Sequence, residues 1–447
     1  MKGVILATED GRKLGTENPK ALIKLCGVSL LERNLHALKA SSIKDIVVVL
    51  GSKGRMIREH LKDGAQLGLN MEYVDGGEYE GDITSLLAAE GLMGEQPFLL
   101  LRGDQVFDER ILRELSKRQR MTLGIDSSYR PVDGEDAPKV WVENGKAKAI
   151  GKELKRWNSV YIGVALCDPR LFSALKRCPD KGREWFECLD DLAEQDALDC
   201  LDISKIPSYV PGMRRDVEPF WFRIDSKKDV ERCKILLAER LPKERDGVVS
   251  RYLNRRLSIP LSLWLSSHSR ITANQMSFIS FGIATAAAGL FALGKPVPLV
   301  MGGVLAQLSS ILDGCDGELA RLRGTASAYG AWFDAALDRW ADALLIAGMT
   351  YAAWNIHNAS WVWGLGFLTL AGVFGISYTE SRYKEAFGRP LPADRGLPAK
   401  RDSRLFLALL SGLTGQVTVA LSLIAGLSIA EVVRRLWANA PGRRETL

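Results

Sequence analysis

The sequence predicts an α/β domain on a mostly parallel sheet, followed by an all-α membrane domain of six transmembrane helices. Residues 1–240 alternate short β-branched or Leu-rich runs with helical patterns, as strands joined by crossover helices do. Residues 271–447 carry long apolar runs broken by basic loops. The mean hydropathy of −0.03 is therefore the average of a soluble half and a membrane half.

In the first half, strands are read at Val4 to Leu6, Ile46 to Leu50, Met71 to Val74 and Phe98 to Leu101. Helices are read near Leu30 to Lys39, Met56 to Lys62 and Thr84 to Leu92. Gly103-Asp104 follows the last of these strands, at the carboxyl edge where ligands collect in open parallel sheets. Residues 241–270 mix Arg with Leu, Ile and Trp and read as an interfacial amphipathic helix joining the halves.

Six spans follow: about Met276 to Leu293, Val297 to Leu312, Trp332 to Trp354, Trp361 to Tyr378, Leu405 to Leu413 with its neighbours, and Val417 to Val433. Loop charge orients them. One set of loops holds Arg321 to Arg323, the stretch Arg382 to Arg404, and Arg434, Arg435, Arg443 and Arg444. The opposite turns hold only Lys295, His357 and Gln416, so the basic side is cytosolic, with both termini on it. The opening MKGVILATEDG has too short an apolar run for a signal peptide, which keeps the first domain inside.

The net charge of +6 follows the membrane segments rather than a nucleic-acid-type patch, so no nucleic-acid partner is expected. Seven cysteines form no CxxC pair and histidines number four, which excludes a zinc-type cluster and predicts reduced thiols. No internal repeat is evident.

The chemistry concentrates in Asp313-Gly-Cys-Asp316-Gly317-Glu-Leu-Ala320-Arg321 and Gly330-Ala-Trp-Phe-Asp334-Ala-Ala-Leu-Asp338. On helices each aspartate pair shares one face, and two such helices facing each other gather four carboxylates. Unpaired anions at a membrane boundary demand a compensating cation, and an oxygen-only donor set favours Mg²⁺, Mn²⁺ or Ca²⁺. Small residues at Gly317, Ala320 and Gly330 would let a nucleotide approach the backbone, and Arg321 can bind phosphate. The plain alternative is a set of solvated acids paired with Arg321, Arg323 and Arg339.

These residues resemble the signature of the CDP-alcohol phosphotransferase (CDP-alcohol phosphatidyltransferase) family, Asp-Gly-x-x-Asp-Gly-x-x-Ala-Arg then Gly-x-x-x-Asp-x-x-x-Asp, with every fixed position filled. The resemblance covers roughly Arg251 onward. It implies that Asp313, Asp316, Asp334 and Asp338 hold a two-metal Mg²⁺ or Mn²⁺ centre, that Gly317, Ala320, Arg321 and Gly330 line the CDP site, and that Asp338 is the general base. It also implies a homodimer in a lipid membrane. Asp342, one turn beyond, reads as a support or a basic residue's partner. Between spans four and five, Arg382, Lys384, Arg389, Arg395, Lys400, Arg401 and Arg404 could bind a phosphorylated acceptor, with Arg401 and Arg404 preferred; ordinary positive-inside charge is the plain reading of any one of them.

Leu6-Ala-Thr-Glu-Asp-Gly11-Arg12-Lys13-Leu14 and Pro19-Lys20 resemble the opening of the sugar-phosphate nucleotidyltransferases, Leu-Ala-Ala-Gly-x-Gly-x-Arg-Leu with Pro-Lys beyond. This implies a Rossmann-like, GT-A type fold over about residues 1–240, with Gly11, Lys13 and Lys20 at the phosphates. Glu9 stands at the first glycine position and Lys13 at the arginine position, which departs from the pattern. Asp104 and Asp225 match the family's metal-binding aspartates, the Asp82 segment its nucleobase side, and Ile150-Gly151-Lys152 with Tyr161-Ile-Gly163 its sugar-phosphate side.

Together the halves resemble the bifunctional inositol-phosphate cytidylyltransferase and di-myo-inositol-phosphate phosphate synthases. The implied reactions are CTP plus inositol phosphate giving CDP-inositol, then transfer of the phospho-alcohol to an acceptor hydroxyl with release of CMP. A second reading keeps the membrane enzyme but makes residues 1–240 a degenerate binding or regulatory module, with a phospholipid-type CDP-alcohol as donor. A third is a non-catalytic membrane scaffold.

Overall fold

The computed structural model describes residues 1–76, 81–129, 138–178, 184–210, 215–242, 246–388, 391 and 396–440. Arg389, Arg395, Arg443 and Arg444 lie outside them. The chain divides into two compact units, one of Met1–Val210 with Asp216–Leu237, the other running on from Ala238.

The first unit is built on a nine-stranded sheet. In chain order its strands are β1 (Lys2–Ala7), β2 (Asp45–Leu50), β3 (Asn70–Asp75), β4 (Phe98–Arg102), β5 (Thr122–Asp126), β6 (Lys139–Glu143), β7 (Lys146–Gly151), β8 (Ser159–Cys167) and β9 (Asp199–Asp202), in the spatial order β3-β2-β1-β4-β8-β5-β9-β7-β6. The four strands β3-β2-β1-β4 are parallel, with Leu6 of β1 opposite Val49 and Arg102. Beyond β4 the sheet is mixed, because β8 runs antiparallel to both β4 and β5.

The helices α1 (Leu30–Ala40), α2 (Gly54–Leu61), α3 (Asp82–Met93), α4 (Glu109–Ser116), α5 (Arg170–Arg177), α6 (Asp190–Glu194) and α7 (Lys227–Glu239) complete the unit. Strand periodicity explains the two cores. Val4, Leu6, Val47 and Val49 bury against Ile83 and Leu86 of α3, while Ile5, Ala7, Val48 and Leu50 bury against Leu31 and Leu35 of α1 and Ile57 of α2. Ser29 starts α1 through a reciprocal capping box with Glu32. Cys178 and Cys188 are joined by a disulfide with Cα atoms 5.6 Å apart, which corrects the expectation of reduced thiols at these two positions. Nothing in their ten-residue spacing marks the pair in the sequence.

The second unit is helical: α8 (Arg255–His268), α9 (Ala273–Ala292), α10 (Pro296–Arg323), α11 (Ala328–His357), α12 (Trp361–Phe387), α13 (Arg401–Thr414) and α14 (Val417–Ala438). α8 is amphipathic in an inverted sense. Ser258, Ser262 and Ser266 are buried, while Leu257 and Trp264 are exposed. Thr272 and Gln275 form the capping box of α9, Pro296 opens α10, and left-handed Gly324 (φ 68°) ends it.

Among the described residues, four helices, α9, α10, α12 and α14, are long and apolar enough to cross a membrane. The expected six meet two obstacles. α11 has 30 residues but carries Asp334, Asp338, Arg339 and Asp342 in its first half. α13 has only 14 residues, roughly 21 Å of helix against a hydrocarbon core of about 30 Å. α13 lies close to α10: a Cβ on Gly412 would fall 2.3 Å from the Leu299 carbonyl, so only glycine permits this approach.

Candidate active sites

In the helical unit, α10 and α11 bring their acids together. One carboxylate oxygen each from Asp313, Asp334 and Asp338 lies within 4.8 Å of the others. Ser327 positions α11 by accepting a hydrogen bond from the Gly330 N–H at 3.0 Å, which fixes the first turn just ahead of Asp334. Asp316 is buried beside this group and is held by the Ser277 hydroxyl of α9 and by the Gly317 N–H. Gly317 and Ala320 lie within the turns that follow Asp316, and a Cβ on Gly317 would meet the Arg321 guanidinium at 3.1 Å. A Cβ on Gly330 would stand 3.2 Å from Ser327 Oγ.

The first turn of α13 supplies the charge opposite these acids. Arg401 pairs with Asp313 and, at 2.8 Å, with Asp338. Arg404 donates to Asp342 at 2.7 Å and to the Ala399 carbonyl at 2.9 Å, while Arg339 lies 3.4 Å from Asp342. Asp342 is thus an arginine partner. Arg323 bonds the carbonyls of Leu265, Ser266, Ser269 and Ile271, and so clamps the turn between α8 and α9. Glu318, inside the motif, is a member that sequence reasoning missed: it is fully buried and bonded to Arg255, Ser258 and Ser262 of α8.

In the α/β unit, Lys20 is buried and its Nζ lies 2.9 Å from Glu9, 3.0 Å from Asp104 and 2.7 Å from Asp225. These three acids form a second group with oxygens within 4.8 Å of one another. Arg102, at the end of β4, pairs with Glu9, with Asp82 at 3.0 Å, with Asp104 at 3.2 Å and with Glu184 at 3.0 Å. Lys152 reaches Glu184 at 3.3 Å and Arg223 reaches Asp225 at 2.8 Å.

Gly11 closes the loop after β1, where a Cβ would fall 2.3 Å from the Asn18 carbonyl. Lys13 is exposed on the turn Arg12–Leu14. Arg102, Glu184 and Arg223 were not foreseen. Arg102 could have been suspected from its place beside Gly103-Asp104, whereas nothing local marks Glu184.

Electrostatics separate the carboxylates of this unit. Burial alone would raise Asp104, but Arg102 and Lys20 outweigh it and hold the carboxyl well below the usual range. Burial pushes Asp82 up to about 7; Arg102 opposes the shift and Glu184 adds to it. Burial disfavours the Lys20 ammonium, yet Asp104 and Glu9 keep it charged well beyond the usual lysine range.

Both acidic groups offer oxygen donors alone, the set suited to hard divalent cations. In each, a basic side chain stands where a cation would: Lys20 against three carboxylates, Arg401 against two. The residues fit a metal at both places.

A mixed α/β unit with acids at the carboxyl edge of its parallel strands, followed by a helical unit with acids across two long helices, defines a nucleotidyltransferase-like domain joined to a CDP-alcohol phosphotransferase domain. Residues 3–189 match the MobA-like NTP transferase domain family and residues 270–431 the CDP-alcohol phosphatidyltransferase family. A bifunctional IPC transferase and DIPP synthase from Rubrobacter xylanophilus is 34% identical over 98% of this chain and 96% of its own. One from Thermococcus kodakarensis is 32% identical over 92% of this chain and 89% of its own. The chain belongs to the family of bifunctional IPC transferases and DIPP synthases. Among solved structures, the inositol-1-phosphate CTP transferase from T. maritima is 21% identical, with a TM-score of 0.44, over 51% of this chain and 90% of that one.

Proposed function

We propose that the α/β unit makes CDP-inositol from CTP and inositol phosphate, and that the helical unit transfers the phospho-inositol group to an acceptor hydroxyl, releasing CMP. The observation that carries the reading is the meeting of Asp313, Asp334 and Asp338 across α10 and α11 within a chain that also holds Asp104 and Asp225 around Lys20.

In the first reaction an oxygen of the inositol phosphate attacks the α-phosphorus of CTP and pyrophosphate leaves. Lys20 neutralises the triphosphate, Lys152 binds the incoming phosphate, and Gly11 lets the loop after β1 close on Asn18 beside the nucleotide. Asp104 and Asp225 would hold Mg²⁺ or Mn²⁺.

In the second reaction the acceptor oxygen bonds to the β-phosphorus of CDP-inositol, and the bond to the CMP oxygen breaks. Asp338 removes the hydroxyl proton as the new bond forms. Asp313, Asp316, Asp334 and Asp338 would hold the metal pair, which when bound stabilises charge on the pyrophosphate. Gly317, Ala320, Arg321 and Gly330 line the CDP side. Arg401 turns from Asp313 and Asp338 toward an anionic acceptor while Asp342 keeps Arg404 in place. The acceptor in this reading is a second inositol phosphate.

The helical unit, in the same reading, crosses the membrane six times as a homodimer, with the catalytic aspartates at cytosolic helix ends. The opposed charges of its loops support that orientation.

The test uses the full-length chain in detergent with CTP, Mg²⁺ and inositol phosphate. Pyrophosphate and CMP should both appear. Asp104→Asn should abolish both, with CMP restored by added CDP-inositol, whereas Asp338→Asn should abolish CMP alone. Absence of pyrophosphate from the parent chain, with CMP formed from CDP-diacylglycerol, would establish the degenerate-module reading instead.

A further inference from the structure

Glu9 occupies a position where the nucleotidyltransferase pattern has glycine, and its half-buried side chain is engaged by Lys20 and Arg102. The loop after β1 turns back on itself: the Lys20 N–H donates to the Glu9 carbonyl at 3.0 Å, and Asp10 bridges to Pro19. The Glu9 carboxylate is thereby directed inward. One of its oxygens meets Lys20 Nζ at 2.9 Å and the other meets Arg102. An oxygen of Glu9 also lies within 4.8 Å of oxygens from Asp104 and Asp225.

We propose that Glu9 is a third carboxylate ligand, beside Asp104 and Asp225, of the divalent cation of the α/β site. The inference rests on the nucleotidyl-transfer reading above and adds to it a ligand on the phosphate loop itself.

Charge balance carries the argument. The Lys20 ammonium contacts all three carboxylates, so a cation at this point is already shared among them. Once Lys20 turns to a triphosphate, the three acids lose that shared charge. Arg102 keeps its contacts with Glu9 and Asp104, and Arg223 its contact with Asp225 at 2.8 Å, but Arg102 is shared with Asp82 and Glu184 as well, so two guanidinium groups then serve these three acids together with Asp82 and Glu184. A divalent ion restores the balance with the oxygen donors it prefers. Glu9 is 38% exposed and Asp225 46%, against 4% for Asp104, so these two are the members able to adjust as the ion and the nucleotide enter. The glycine loop is thus altered from a purely backbone cradle for phosphate into one that also supplies a metal ligand.

The experiment follows Mn²⁺ binding by the loss of the free-ion electron paramagnetic resonance signal. The full-length chain carries Asp313→Asn and Asp338→Asn so that the helical unit contributes no tight site. A Lys20→Gln version is run in parallel, in which no ammonium competes for the carboxylates. Glu9→Gln and Glu9→Gly should each weaken Mn²⁺ binding at least about 10-fold, and Glu9→Asp should keep most of it. Lys20→Gln should tighten binding when Glu9 is present. Unchanged Mn²⁺ affinity in both Glu9→Gln and Glu9→Gly, with tighter CTP binding, would overturn the proposal and leave Glu9 as a counter-ion of Lys20 and Arg102. The nucleotidyl-transfer reading is judged separately, by pyrophosphate release from the parent chain.

Discussion

Glu318 is surrounded by partners on α8: Ser258 and Ser262 each donate at 2.7 Å, and Arg255 pairs with it while holding Asp246 at 2.9 Å. Replacing one partner of a buried ion pair strands the other, so Glu318→Ala should cost about 3–5 kcal/mol, read as a lower unfolding temperature in detergent. Glu318→Gln keeps acceptors for the serines and should cost less. Asp82 gives a pH prediction. Its carboxyl is raised from 3.8 to about 7 by burial against the pull of Arg102, with Glu184 adding to the rise. The folded state therefore holds a proton that the unfolded state releases near pH 4, and this contribution to stability is lost as pH rises from about 4 through 7. Asp82→Asn should flatten the stability slope across that window in pH-scanned thermal unfolding. At this scale the sequence was legible where a motif compressed the site: Asp313, Asp316, Asp334 and Asp338 stand at fixed spacings that a helix converts into one face. Arg102 with Glu184, and Glu318 with Arg255, are separated by 82 and 63 positions, so their pairing exists only after folding.

α13 is the element whose role the sequence disguised. Its first turn carries Arg401 and Arg404, which pattern alone could not separate from ordinary basic loop charge. The structure makes them the first turn of a helix packed on α10, with Arg404 buried and Arg401 half-buried. That packing depends on Gly412, whose Cβ would fall 2.3 Å from the Leu299 carbonyl, and on Gly303 opposite it. Gly412→Leu should separate the helices, move Arg401 off Asp313 and Asp338, and lower CMP formation by an order of magnitude or more; pyrophosphate formation should be unaffected. Loss of both activities together would show a general folding defect instead. The same reasoning applies to α8. Its alternation of Arg with Leu and Trp reads as an interfacial helix, but periodicity cannot say which face is buried, and here the serines face α10 through Glu318 while Trp264 is exposed.

For the whole molecule, orientation rests on charge rather than on helix length. The turn between α9 and α10 holds Lys295, that between α11 and α12 follows His357, and that between α13 and α14 holds Gln416, whereas Arg382, Lys384, Arg401 and Arg404 flank the opposite side. Basic residues are retained on the cytosolic face during insertion, so the proposed six-span arrangement would put the acidic centre of α10 and α11 on that face. The short α13 is the weak point of the six-span arrangement, because an interfacial or re-entrant α13 would place Gln416 on the same face as Lys384. Single cysteines at Lys295, Lys384 and Gln416 decide the matter when an impermeant maleimide is added to intact cells. Of the native cysteines outside the disulfide, Cys26, Cys167, Cys233 and Cys315 are buried and Cys200 is half-buried, so the labelling is run on a Cys200→Ser background. Labelling of Lys295→Cys and Gln416→Cys, with Lys384→Cys labelled only after the cells are opened, is the outcome that six crossings require. Protection of Gln416→Cys in intact cells, with labelling after lysis, would reduce the count and leave α14 needing a different course through the bilayer.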